Sequence, residues 1–296
     1  MNFGKKIGLG LAAGVLATGL ALSAQAGVIA YSTLQVTNFQ ITAGGNQIVA
    51  TGPKAPVITN ATRNEAVFFS DQPGVVHTNA TDAVMSCVGD CGGIGQNDFS
   101  RVSAGDSTIH FARGDAQLTG SLLSIGGASA NTVAETQLLQ NESSNAGGEA
   151  STSSFFWTID IDGDLGDIEL AFDAYGKLYT FSDILFGTAQ ADFDWSLTVR
   201  DVTGGGNGVL VDEFSFDELN QSVAVAGIDT AEYEIDDSFN ITVSGLLADR
   251  RYRLIISHNS DVEATYFKVP EPVSMAVLGF GLLGLGGLAA RRRKTA

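Results

Sequence analysis

Only 2 of the 296 residues are cysteine, 5 are proline and 3 are histidine. A disulfide-stapled mini-scaffold and a thiolate zinc centre are therefore excluded. His77, His110 and His258 show no H-E-x-x-H spacing, so a zincin site is absent. No Gly-x-Ser-x-Gly elbow marks a serine hydrolase. Basic residues are scarce as well, with 16 Lys and Arg against 33 Asp and Glu. Such a surface repels the phosphates of nucleic acid and anionic lipid headgroups, which excludes nucleic acid as a partner. Long apolar runs are missing everywhere except at the two ends.

Those ends carry the clearest signals. Lys5 and Lys6 precede an apolar stretch from Ile7 to Leu22, followed by Ser23-Ala24-Gln25-Ala26. A basic start, an apolar middle and small residues at Ala24 and Ala26 make a secretory signal peptide over 1–26, cut after Ala26. At the other end Pro270-Glu271-Pro272 precedes an uncharged run from Val273 to Ala290, closed by Arg291-Arg292-Arg293-Lys294. As a helix, 18 residues reach about 27 Å, close to the hydrocarbon thickness of a bilayer. Proline cannot sit inside a helix, so helix is predicted to start near Val273. The basic cluster then stays on the cytoplasmic side.

The tail over 269–296 resembles a PEP-CTERM sorting signal. The resemblance rests on Val269-Pro270-Glu271-Pro272, the span Gly279-Phe280-Gly281-Leu282-Leu283-Gly284-Leu285-Gly286, and Arg291 to Lys294, in that order. It implies a Gram-negative source, recognition by the membrane enzyme exosortase, and removal of the tail during sorting. It also implies a final place at the cell surface or in the extracellular matrix, together with exopolysaccharide. It covers less than a tenth of the chain and brings no active site with it.

Between the ends lies a body over 27–268, with 10 basic and 32 acidic residues, a net −22. No linker-like run divides it, so one domain is expected. Phe155-Phe156-Trp157-Thr158-Ile159-Asp160-Ile161-Asp162 alternates apolar and polar, the pattern of a half-buried strand. Ile168–Phe172 and Asp192–Arg200 repeat it. Thr203–Gly208 reads as a hairpin loop with Val209–Phe216 returning, and Phe239–Ser244 and Tyr252–Ser257 are further strands. Asn131–Gln140 alone carries helical spacing, with Asn131 placed to cap. The region 43–110 is broken by Gly and Pro and reads as long loops. Leu246 followed by Tyr252 at the head of a strand is similar to the tyrosine corner of fibronectin-like sandwiches. The fold class is all-β, an antiparallel β-sandwich of jelly-roll or fibronectin-like type, plus a cleaved signal helix and a carboxy-terminal transmembrane helix.

Candidate chemistry is sparse. Cys87 and Cys91 are close in sequence and destined for an oxidising compartment, which predicts a disulfide. Its small ring contributes on the order of 2 kcal/mol or less. Asp160, Asp162, Asp164, Asp167 and Glu169 offer the oxygens calcium takes. Yet Leu165 and Ala171 stand where an EF-hand needs Gly and Glu, so a hydrated hairpin is the preferred reading and calcium the competing one. Trp157 and Trp195 fall on the apolar phase of their strands and read as core. Tyr175, Tyr179 and Tyr266 are freer to line a surface. No catalytic residue and no cofactor is assigned. The expected role is non-catalytic and structural or binding, associated with exopolysaccharide or biofilm. The alternatives are a glycan-binding adhesion module and, behind it, a glycan-active hydrolase. The partners expected are the secretion machinery, exosortase and, transiently, the inner membrane.

Overall fold

The structure, a computed structural model, describes residues 27–48, 56–70, 76–81, 86–89, 110–123, 126–139 and 146–266. The signal segment, the sorting tail and Cys91 lie outside them, and so does the expected bridge from Cys91 to Cys87.

Fourteen strands follow in order: β1 Gly27–Ala43, β2 Asn46–Gln47, β3 Val57–Ser70, β4 Val76–Thr81, β5 Ser86–Gly89, β6 His110–Gly120, β7 Ala128–Leu139, β8 Ala146–Asp162, β9 Ile168–Ser182, β10 Gly187–Asp201, β11 Val209–Ser215, β12 Gln221–Ala226, β13 Asp229–Val243 and β14 Arg251–Tyr266. One sheet runs β13-β9-β1-β7-β6-β5, with β2 on β1; the other runs β11-β10-β14-β8-β3-β4, with β12 also on β10. Every pairing is antiparallel. The described residues are thus all-β and sandwich-like.

Alternation places the core. Ile168, Leu170, Phe172 and Ala174 of β9 face Phe193, Trp195, Leu197 and Val199 of β10, all buried, while their neighbours Glu169, Ala171 and Asp194 are exposed. An aromatic cluster fills the centre. Phe172 stacks on Phe39 at 4.9 Å between ring centroids and on Phe239 at 5.4 Å, and lies 4.9 Å from Trp195. Such pairs contribute about 0.5–1.5 kcal/mol each beyond the area they bury.

The free edge of β10 is covered in two halves. β11 pairs with Ser196–Asp201 and β12 with Thr188–Phe193. Between the halves Asn220 takes the place of a strand: the Trp195 N–H donates to Asn220 Oδ1 at 3.3 Å, and Asn220 Nδ2 donates to the Trp195 carbonyl at 3.1 Å. The side-chain amide satisfies the two backbone groups that the gap would otherwise leave unmade.

Two expectations fail. The segment predicted as a helix, Asn131–Gln140, lies almost wholly in strand β7. β7 is flanked by β1 and β6, and Thr132 to Leu138 are buried without a break. A strand buried on both faces has no polar phase, so its period of two disappears from the sequence. Its β-branched Thr132, Val133 and Thr136 suit a pleated backbone. The region 43–110, expected as loops, contributes β3, which pairs along β8 from Val57↔Asp160 to Ser70↔Ala146.

Candidate functional site

At one end of the sandwich the chain turns at Gly163–Leu165, 202–208 and 244–250. Tyr252 closes this end. Its hydroxyl accepts the Leu247 N–H at 2.9 Å while the ring is buried, which is the geometry the sequence resemblance to a tyrosine corner calls for. Gly163 packs beneath, its N–H donating to the Arg250 carbonyl at 2.8 Å. A Cβ on Gly163 would lie 2.0 Å from the Leu247 carbonyl oxygen and 2.8 Å from the Tyr252 ring.

Asp160 and Glu169, at the two ends of the acidic cluster, do not converge. Asp160 lies on β8 and Glu169 on β9, and the two strands belong to different sheets. Their polar faces point outward on opposite sides of a core roughly 10 Å thick. Asp160 is also held by Arg253, with Nε on Oδ1 at 2.7 Å and Nη2 on Oδ2 at 3.0 Å. That bidentate bond raises the Arg253 pKa. Glu169 instead accepts the Thr42 hydroxyl at 3.4 Å. Among the described residues no group of three or more His, Cys, Asp and Glu side chains is placed to hold a metal. The Asp164 side chain falls outside what is described. A separate exposed pair joins Arg250 to Asp201. Hydrogen bonds from Thr203, and then Arg250, hold the Asp201 carboxyl down at about 2.

The interior holds a polar track that the sequence reading did not single out. Thr132 Oγ1 lies 2.8 Å from His258 Nε2 and 2.7 Å from Ser260 Oγ, joining β7 to β14 across the sandwich. All three side chains are fully buried. Burial drives the His258 pKa down to about 3, opposed by a hydrogen bond with the Leu34 backbone. His258 is therefore neutral at pH 7. The three groups resemble a hydroxyl–imidazole catalytic set in composition, but they satisfy one another inside the core, out of reach of a substrate. Ser32 adds a second link between the sheets, donating to the Asp192 carbonyl at 2.6 Å.

On the opposite face of β7, Glu135 pairs with Arg113 of β6, Nη2 to Oε2 at 3.0 Å, both side chains fully buried. Tyr31 of β1 stands in register with Glu135. Burial first, and then the Glu135 charge, raises the Tyr31 pKa. Ile29, Tyr31, Val133 and Tyr179 form a separate buried apolar cluster. Tyr179, which the sequence left free to line a surface, is packed away, and Tyr175 is half-buried. Trp195 is core as expected. The Trp157 ring and the Tyr266 side chain fall outside what is described.

At the other end of the sandwich two described loops present exposed apolar side chains. The loops between β9 and β10 and between β12 and β13 form a shallow groove, lined by Leu185, Phe186 and Gly187 on one side and Ala226, Gly227 and Ile228 on the other. Leu185 is 68% exposed, Phe186 50% and Ile228 71%. The loops are held by short-range bonds. Gly187 N–H donates to Ile184 O at 3.0 Å and Gly227 N–H to Gly187 O at 2.8 Å. The sequence signal was present but easy to miss: Ile184-Leu185-Phe186 is an apolar triplet without alternation, between Asp183 and Gly187 at a turn. Among the described residues no helix is long and apolar enough to cross a membrane; Val273–Ala290 lies outside them. Comparison of the chain with protein-family models, with curated proteins and with solved structures finds no match.

Proposed function

We propose that this chain is an exported surface or extracellular-matrix protein, delivered by a cleaved signal peptide and sorted by exosortase through its tail. One observation carries the reading: a Pro-Glu-Pro motif, a membrane-length uncharged run and a basic stop follow one another within 270–294. Signal cleavage occurs after Ala26. Pro270, Glu271 and Pro272 are the recognition motif, Val273–Ala290 holds the intermediate in the inner membrane, and Arg291 to Lys294 fix its orientation. The strands β1 to β14 lie between these two signals in the sequence. The body then acts without catalysis, as a structural or binding component associated with exopolysaccharide. Within the sandwich class, the Tyr252 corner favours the fibronectin-like alternative over the jelly roll.

Mass spectrometry of protein from outside the native cells tests this. The expected mature form starts at Gly27 and lacks residues 273–296. Recovery of the extracellular protein with those residues intact refutes the sorting mechanism.

A further inference from the structure

We propose that the groove of Leu185, Phe186 and Ile228 docks against the lipid bilayer while the tail still tethers the protein. The proposal rests on the reading of Val273–Ala290 as a membrane anchor. Its geometry comes from the sandwich itself. β10 lies between β12 and β14, and Thr188 is in register with Ala226 on one side and Thr265 on the other. Gly187 is in register with Tyr266. The groove is therefore built on the same end of the backbone ladder from which the chain leaves for the tail.

From Tyr266 to Val273 is seven residues. Fully extended, they span at most roughly 25 Å. With the anchor in a bilayer, this end of the sandwich is held within about 25 Å of the point where the anchor enters. β1 starts here too: Gly27 N–H donates to the Asp183 carboxylate, and Asp183 N–H donates back to Gly27 O at 3.2 Å. The apolar tips are thus placed where amphipathic surfaces bury, about 5–10 Å into the headgroup and acyl boundary. Three large apolar side chains on two pinned loops are a costly display in water, and a nearby bilayer removes that cost. The acidic body repels anionic headgroups, so the lipid surface that fits is a zwitterionic one.

A second exposed apolar group supplies the control. Val209, Leu210 and Val211 are 73%, 51% and 49% exposed. Leu210 is in register with Arg200, twelve residues along β10 from Thr188, or about 40 Å at the strand rise. That end faces away from the anchor.

The test uses the full chain in vesicles of phosphatidylcholine and phosphatidylethanolamine, with and without bromine on the acyl chains. Phe186→Trp and Leu210→Trp are made separately; the native Trp157 and Trp195 contribute equally to both. Flotation comes first. If neither protein floats with the vesicles, the anchor reading fails and the docking proposal falls with it. If both float, the proposal requires bromine to quench Phe186→Trp roughly twofold more than Leu210→Trp. Ile228→Ser, added to Phe186→Trp, should shrink that difference, with an unchanged thermal melt showing that the fold is intact. Equal quenching of the two proteins overturns docking while leaving the anchor in place. So does Phe186→Trp emission that ignores bromine but depends on protein concentration, which assigns the groove to a second copy.

Discussion

Acidification should destabilise this protein well before its carboxylates titrate, and His258 should account for a defined part of the loss. The imidazole is fully buried against Thr132, with its pKa lowered by burial to about 3 from an ordinary 6.5. The unfolded chain therefore takes up a proton as pH falls through 6.5, and the folded chain does not until about 3. Stability is full above the unfolded value and is lost at up to roughly 1.4 kcal/mol per pH unit below it. Between pH 7.5 and 5 this integrates to about 2 kcal/mol. Urea unfolding followed by tryptophan fluorescence measures it, with Trp195 in the core as reporter. At a urea slope of about 3 kcal/mol per molar, the midpoint drops by roughly 0.7 M. His258→Gln keeps a hydrogen-bonding side chain but has no proton to gain. The variant starts less stable, yet its midpoint should move about 0.7 M less between the two pH values. Contributions from the other histidines and from the carboxylates are common to both proteins and cancel in that difference. Parallel losses in the two proteins would refute a neutral, buried His258.

Tyr252→Phe removes the hydroxyl that accepts the Leu247 N–H, and should cost about 1–2 kcal/mol in the same urea assay. At Gly163, a methyl group 2.0 Å from a backbone oxygen must displace the corner; Gly163→Ala should cost about 2–3 kcal/mol. Gly204→Ala, with nothing near its Cβ, should stay within about 0.5 kcal/mol. Arg113→Met leaves the Glu135 charge buried and should cost about 3–5 kcal/mol, whereas the double variant Arg113→Met, Glu135→Leu should recover most of it, as read by thermal melting.

The parts of the fold legible in the sequence are those with one wet face. Ile168 to Phe172, Asp192 to Arg200 and Tyr252 to Ile256 alternate because water covers one side of each, and the structure places them in β9, β10 and β14. The corner was legible too, since Tyr252 and the loop before it are local in sequence. β7 was not, because burial on both faces leaves no polar phase to read. His258 continues the inward phase of Tyr252, Leu254 and Ile256, so its burial could have been inferred. Its partner Thr132 lies 126 residues away, and no local pattern points to it. The acidic cluster, for which a hydrated hairpin was the preferred reading over calcium, shows the limit of spacing in sequence. Asp160 and Glu169 are nine residues apart in sequence, but they leave the sandwich on opposite faces.

The order of the strands bears on when this protein can fold. β14, the last described strand, lies between β8 and β10. Without it one sheet is two separate pieces, and the Thr132–His258–Ser260 link between the layers has no far side. β1, the first, is likewise interior to its own sheet, between β7 and β9. Every strand of the first sheet ends by Val243, so that layer precedes β14 in the chain, whereas the two pieces of the second sheet join only when residues 251–266 are present. The loop-closure entropy of that second sheet is therefore met late, when its last described strand is inserted between β8 and β10.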